Sequence, residues 1–452
     1  MYGSIGKLGI TTESCATNQA IAFCKPNQGI DLHYLFYLML RERQAITNLG
    51  QGGTQLNISQ TILKAHEVPI APANEQRRIV SKIDELFSRI DEGEQALKRV
   101  EKLVQRYRQS VLKAAVTGEL TRGWRAAQGR ANAAGERTSG AAAARKRVGE
   151  PVESGAALLA RILTARRAAW EAAELKKMQA KGRPPTDERW KQKYAEPASP
   201  DTAGLPALPE GWVWASMEQL SRSSSYGTST KCAYDGTGVV VLRIPNIRGG
   251  RLDFSDIKHA NTDVCTGADD LLSYGDLLVV RTNGSASLIG VGCVVTEPTP
   301  MPCYFASYLI RFRLALPTEL SAWVNLCWQS HVVRKFVGER KATSAGQYNI
   351  SQSSLMELCL PLAPVAEMHE AVATAARVVP EADSVWECST NELRRSAALR
   401  QSILKAAFCG QLVPQDPHDE PASKLLERIA AERASATDRP RRKASRHIVN
   451  RG

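Results

Sequence analysis

The sequence predicts an α+β protein: two pseudo-repeated β-rich modules, the first incomplete, separated by two long coiled-coil-like helices. Three observations predict it. Gln55-Leu56-Asn57-Ile58-Ser59-Gln60 returns as Gln347-Tyr348-Asn349-Ile350-Ser351-Gln352, and Arg108-Gln109-Ser110-Val111-Leu112-Lys113 returns as Arg400-Gln401-Ser402-Ile403-Leu404-Lys405, both 292 positions later. The two copies align without a gap over 66 residues, Gln55 to Leu120, with 21 identities gathered mostly at the two ends of the window. A period this long marks duplicated domains, not solenoid units. Finally, short apolar runs between Gly and Asp turns crowd residues 206–364, whereas heptad spacing dominates residues 73–118.

The chain divides in order. Residues 1–72 form the C-terminal part of a first module. From Ile79, apolar residues recur at Ile83, Leu86, Ile90, Leu97, Val100, Val104, Tyr107 and Val111, with Gly93 in the one missing place. Steps of four and three are those of a coiled-coil seam. Pro72 and a capping Asn74 start this helix and Gly118 ends it, giving 73–118 as a long element of about 44 helical residues, roughly 65 Å. Residues 119–205 are a basic linker with a short helix: an Ala/Arg/Gly-rich stretch, 125–152, has the composition of disorder, and Ala157-Leu158-Leu159-Ala160-Arg161-Ile162 is helical. Residues 206–364 are the second module, with strands at Val239–Leu242 and Leu277–Val280 and a helix near Ala322–Val337 whose Trp323, Leu326, Cys327 and Trp328 read as core. Residues 365–412 repeat the long helix with a poorer, Ala-rich seam and Pro380, which predicts a kink. Residues 413–452 hold a short helix, Lys424-Leu425-Leu426-Glu427-Arg428-Ile429, that echoes 157–162, and a basic tail.

Composition narrows the function classes. At 452 residues, 43% hydrophobic, the chain has room for several globular domains. Net charge is +13, and between Thr121 and Lys193 there are 17 Lys/Arg against 7 Asp/Glu. Two readings of that stretch stand side by side: a polyanion as partner, or a solvated linker whose charge maintains solubility. The ten cysteines form no C-x-x-C pair and no spacing that suits zinc, so they read as small apolar core residues in a reducing compartment. No apolar run spans a membrane and no charged leader follows Met1, so a cytoplasmic protein with no membrane partner is expected. Catalytic motifs do not survive inspection. The Asn-Pro-Pro-aromatic motif of adenine methyltransferases is missing, Gly3-Ser4-Ile5-Gly6-Lys7 lacks the first Gly of a phosphate loop and is followed by Leu8, and His369-Glu370 has no second His four positions on from the first.

The order of motifs resembles a known family. Leu208-Pro209-Glu210-Gly211-Trp212, Leu242-Arg243-Ile244-Pro245-Asn246-Ile247, Gly275-Asp276-Leu277-Leu278, Arg281-Thr282-Asn283-Gly284-Ser285, Gln347 to Gln352 and the Pro361 to Pro364 lead into a long helix are together similar to the DNA specificity subunit of type I restriction–modification systems. The resemblance spans nearly the whole chain and rests on the combination, since each motif alone is weak. It implies two target-recognition domains that each read half of a bipartite site on double-stranded DNA. It also implies two long helices packed antiparallel as a spacer, and docking of methyltransferase (M) and restriction (R) subunits. The subunit itself is noncatalytic and binds no cofactor, and S-adenosylmethionine sits on the methyltransferase partner. Gly3-Ser4 matches Gly284-Ser285, so the first module opens some 77 residues into its counterpart, counted from Leu208, and a second specificity polypeptide is expected to complete it.

Base readout needs donors and acceptors on loops that approach the grooves. The candidates are Tyr226, Thr228, Ser229 and Lys231 in the first loop, Arg243 and Asn246 after a strand, Arg281, Asn283, Gly284 and Ser285 around a glycine, and Gln347 with Tyr348. Any one of them could equally be a turn residue or surface charge. Asn57 and Asn349 read as structural, because both copies keep the Asn-Ile-Ser turn. The competing class is a noncatalytic coiled-coil scaffold or nonspecific DNA-binding protein, which explains the helices and the charge but not two modules with Gly-bounded polar loops.

Overall fold

A computed structural model describes residues 6–50, 57–134, 153–261, 268–344 and 346–437. Gly3-Ser4, Gln55-Leu56, linker residues 135–152 and the basic tail from 438 therefore lie outside the described residues. Helices in chain order are α1 (Leu32–Arg41), α2 (Arg43–Asn48), α3 (Gln60–Ala65), α4 (Ala73–Val116), α5 (Arg122–Ala134), α6 (Gly155–Ala180), α7 (Met217–Leu220), α8 (Pro317–Trp328), α9 (His331–Arg340), α10 (Gln352–Met356), α11 (Val365–Phe408) and α12 (Ala422–Thr437). The two long helices are each 44 residues, and their first and last residues are all offset by 292. Both end on a positive-φ glycine, Gly118 and Gly410, whose N–H groups return to the equivalent Ala115 O and Ala407 O; the equivalent carbonyls of Ala114 and Ala406 are then met from different positions, by Leu120 N–H and by Gln411 N–H. The chain folds into two compact units, residues 1–102 with 385–452, and residues 103–384.

In the first unit, Tyr34 and Leu38 of α1, Ile79 and Ile83 of α4, and Ile403, Leu404, Ala407 and Phe408 of α11 form one buried cluster. Asp31 caps α1 by accepting from His33 and Tyr34 N–H at 2.8 and 2.9 Å. Here α4 and α11 run antiparallel: Asp91 meets Arg400, Glu94 meets Ser396, and Glu101 meets Thr390. On α12, Leu425 and Ile429 are buried, as are Leu158 and Ile162 on α6 in the second unit. None of the described residues of the first module lies in a named strand; α2 and α3 stand 292 residues before the ends of α9 and α10, so this part corresponds to the helical end of the second module. The β-rich character belongs to the second.

The second unit carries fifteen strands among the described residues: β1 (Val213–Ser216), β2 (Ser221–Tyr226), β3 (Cys232–Ala233), β4 (Val240–Leu242), β5 (Ile247–Arg248), β6 (Arg251–Leu252), β7 (His259–Ala260), β8 (Asp276–Val280), β9 (Thr282–Asn283), β10 (Gly292–Val294), β11 (Cys303–Phe305), β12 (Leu309–Leu314), β13 (Ala342–Ser344), β14 (Gln347–Asn349) and β15 (Cys359–Leu362). They form sheets ordered β10-β8-β12-β2, β11-β4-β7-β3 and β13-β14-β9, plus the pairs β1-β15 and β5-β6. Strand β8 shows why its sequence is a continuous apolar run. Leu277 and Val279 enter one core with Trp323, Phe312 and Leu360, while Leu278 and Val280 enter another with Phe305, Cys293 and Leu242. A strand alternates faces, and here both faces are covered. Asp276 at its start is fully buried, held by Arg313 at 2.8 and 3.0 Å and by Ser273 N–H at 2.9 Å.

Several expectations change. The seam of α4 is buried at Ile79, Ile83 and Val111, but Val100 and Tyr107 are exposed, as is Leu103. Their neighbours Glu101 and Arg108 face Thr390 and Asp383, so the middle of the pairing is polar and offers no hole for an apolar knob. Asn74 is not a cap; it lies inside the helix and donates to Asp419 at 3.1 Å. The helix expected over 322–337 is two helices parted at Gln329 and Ser330, and its Trp323, Cys327 and Trp328 are core as expected. Helix α11 is continuous through Pro380. Part of the stretch read as disordered is helix α5. Cys293, Cys303 and Cys327 are buried, but Cys15, Cys24, Cys388 and Cys409 are exposed, because helix periodicity and loops place them on outer faces. No helix among the described residues is long and apolar enough to cross a membrane.

Candidate nucleic-acid interface

Strands β2 and β8 flank β12 and both pair with it, Tyr226 and Val279 lying opposite Ile310. This brings Tyr226, at the end of β2, beside Arg281, just past β8. The Arg281 guanidinium stacks over the Tyr226 ring, 4.7 Å from its centroid. Tyr226 is 45% exposed, and Arg281 Nε is buried with no hydrogen-bond partner among the described residues. A guanidinium held by a ring on one face, with no ion pair among the described residues, keeps its terminal Nη donors for a planar acceptor.

The chain then turns from Arg281 into β9, which pairs with β14: Asn283 lies opposite Tyr348 and Thr282 opposite Asn349. Arg281 O accepts from Ile350 N–H at 2.9 Å, and Thr282 Oγ1 lies 3.2 Å from Gln347 Oε1. Asn283 Oδ1 accepts from Ser285 N–H at 2.7 Å, the Asx turn that sets the Gly284 loop, and Ser285 Oγ lies 2.9 Å from Ser287 Oγ. Gly284 faces open space. Tyr226, Arg281, Asn283, Gly284, Ser285, Gln347 and Tyr348 thus gather at one end of the module. Thr228, Ser229 and Lys231 follow Tyr226 directly. Thr228 is a turn former: its backbone pairs with Phe305 and Ser307, and its Oγ1 accepts from Thr230 N–H at 3.1 Å. Ser229 and Lys231 are exposed.

Two candidates are corrected. Asn246 is 1% exposed, accepts from Arg243 N–H, and donates to Asp253 O and Asp256 O, both at 2.8 Å. Its amide is fully used in closing the 243–256 loop, so it has no donor left for a base. Arg243 is largely buried and spends its guanidinium on Asp256, carbonyl and carboxylate, at 3.0 Å each. Both are loop-builders, and the wish for polar side chains after a strand could not tell this from readout.

Other residues were missed. Lys341 Nζ sits 5.6 Å from the Tyr348 ring centroid, and Lys258 Nζ 4.5 Å from that of the exposed Tyr234. Only the strand register brings residues 234 and 258 together, and no local motif reports it. The basic stretch, by contrast, spends its charge internally: Arg161, Arg166, Arg167, Lys176, Lys177, Arg189 and Lys191 all lie within ion-pair distance of carboxylates. Trp170 stacks on Trp190 and packs on Tyr194, which Arg166 also contacts at 2.6 Å. Of its two readings, a polyanion partner or a solvated linker, the linker fits these residues better, although they also pack and pair within the fold. The Asn-Ile-Ser turn is structural in both copies, for Ile58 and Ile350 are buried and Ser59 and Ser351 cap α3 and α10.

Known proteins resemble this chain over most of its length. The family described as type I restriction modification DNA specificity domain matches residues 1–102. The chain is 26% identical over 402 residues to the type I restriction enzyme EcoKI specificity subunit of Escherichia coli (strain K12), covering 87% of this chain and 70% of that protein. It is 24% identical over 426 residues to the StySPI specificity subunit of Salmonella potsdam, covering 91% of this chain and 75% of that protein. Over most of its length the chain is similar to type I DNA specificity subunits. A chain in a solved structure of a type I R-M system is 15% identical, with a TM-score of 0.49, covering 84% of this chain and 71% of that one. The matched residues lie in both units: the family match covers the first module and the first part of α4, and the relatives extend across the second module.

Proposed function

We propose that residues 206–364 read one half of a bipartite double-stranded DNA target through the surface around Tyr226 and Arg281. The carrying observation is the stacked, donor-rich Arg281 at the end of β8, flanked by the Gly284 loop and by Gln347 and Tyr348 on β14. Arginine offered as a fork suits O6 and N7 of guanine in the major groove, while Ser229, Lys231 and Lys341 suit phosphate. On this reading the chain is the noncatalytic component. It selects the site, methyltransferase subunits bring S-adenosylmethionine, restriction subunits cut, and the complex works in the cytoplasm.

Selection from a random DNA pool by this chain copurified with its methyltransferase subunit, at moderate salt, tests the reading. Enrichment of a defined half-site is expected, and its loss in Arg281→Ala identifies the reader. A pool with no enriched sequence, bound with an affinity that falls equally for all DNA as salt rises, overturns it in favour of nonspecific binding.

A further inference from the structure

The loop 283–290, which carries Gly284 and Ser285, is fastened at both ends. Where it opens, β9 pairs with β14 and Asn283 Oδ1 accepts from Ser285 N–H. Where it closes, Ile289 is 1% exposed in the same core as Trp323, and Trp328 Nε1 donates to Gly290 O at 3.0 Å. Gly290 N–H donates to Val280 O at 2.8 Å, the residue before Arg281. The φ of Gly290 is 73°, and a Cβ there would stand 2.6 Å from a methyl of Val337, so glycine lets the loop close directly on α9.

The span between those ends is held from outside by one side chain. Arg334 of α9 donates through Nη1 to Ile289 O at 3.1 Å and to Ser287 O at 3.4 Å. The other hydrogen bonds of 285–288 among the described residues are local: Leu288 N–H donates to Ser285 O at 3.2 Å, and the Ser285 and Ser287 hydroxyls meet at 2.9 Å. Arg334 is an exposed residue with no ion pair among the described residues, so these two carbonyls are its directed contacts. Local turns fix the shape of a loop but not its height above the module. A guanidinium that ties two carbonyls to a helix fixes both.

We propose that Arg334 is a positioning residue for DNA reading. It sets the Gly284 loop against Arg281, so that both meet the groove in one arrangement, and it acts through the loop without touching a base. Recognition geometry has to be held to within about 0.5 Å, and a side chain locked behind the contact residues supplies that. This role rests on the DNA reading proposed above.

DNA selection and binding by the full chain copurified with its methyltransferase subunit, compared with Arg334→Met and Arg334→Lys, test it. Arg334→Met keeps the stem and removes the donors. Expected are at least about a fivefold fall in the ratio of preferred to scrambled DNA affinity, an unchanged salt dependence, faster hydrogen exchange at Leu288 and a thermal midpoint close to that of the unsubstituted chain. Arg334→Lys keeps a charged donor and should recover part of the ratio. An equal loss on both DNAs with a weaker salt dependence makes Arg334 a phosphate contact and overturns the proposal. So does an unchanged ratio, or a lowered midpoint with exchange raised across the module, which marks a merely structural role. Failure of the reading itself looks different: the unsubstituted chain then enriches no sequence, and the positioning role falls with it.

Discussion

Asp91 and Arg400 form an ion pair of 2.7 Å, and the repeat makes it a second time, between Asp383 and Arg108 at 3.2 Å. The four residues are two equivalent pairs, since Asp383 is Asp91 plus 292 and Arg400 is Arg108 plus 292. In the drifted centre of the duplicated window, Asp91 with Asp383 is the one identity kept between Val80 and Arg108. The pairing explains the retention. Each Asp is fixed by an Arg at the far end of the other helix copy, where identity is high.

Both carboxylates are about half exposed, so each pair contributes little stability, on the order of 0–1 kcal/mol. Its use is register. Asp91→Arg is expected to lower the thermal midpoint more than Asp91→Ala, because it places like charges together, and Asp91→Arg with Arg400→Asp should recover most of the difference. A double-mutant cycle on the full chain measures this coupling; a cycle with no interaction energy refutes it.

Arg281→Ala should weaken binding to the preferred half-site by about 1–3 kcal/mol and relax discrimination at one base pair. Tyr226→Ala should do the same more weakly, since the ring only holds the guanidinium. Comparing selected and scrambled DNA at fixed salt separates the outcomes: equal losses on both sequences would make Arg281 a phosphate contact.

Asn246→Ala should behave oppositely. It removes three hydrogen bonds inside a buried loop, so a stability loss of about 2–3 kcal/mol is expected with sequence preference unchanged. Chemical denaturation beside DNA selection decides the matter.

Acid should loosen the first unit. The hydrogen bond from Arg78 holds the Asp419 carboxyl below its ordinary 3.8, and the hydrogen bond from Ser396, helped by Arg400, holds Glu94 below its ordinary 4.5. Folded-state values below the unfolded ones mean that these groups add stability above the ordinary values and lose it as pH falls through the lowered ones. Unfolding midpoints followed from about pH 6 to about pH 3 should drop, and Asp419→Asn with Glu94→Gln should flatten that drop.

The parts of the fold that were legible in the sequence are those fixed by local rules. Heptad spacing and Gly118 located α4, the apolar run 277–280 located β8, and the repeat located α11. What was not legible depends on long-range register. Nothing near Asn246 reveals that two carbonyls from residues 253 and 256 will consume its amide, and nothing near Tyr234 announces Lys258. The exposure of Val100 and Tyr107 was hidden for the same reason, since a seam read on one helix presumes an apolar mate. Arg281 was identified from its loop, but its ring partner Tyr226, 55 residues away, was found only through the shared neighbour β12.

Arg161 grips Glu153 eight residues back through Nε and Nη2, and Arg428 grips Glu420 eight residues back through Nη1 and Nη2. This clamp repeats with an offset of 267 where the long helices repeat with 292, so all 25 residues of length difference fall between the Gly118 and Gly410 turns and the clamps. For chimera building, that marks natural seams: a graft joined at Gly118 or Gly410, or at Glu153 or Glu420, exchanges whole cassettes between junctions the molecule itself has already used in two contexts.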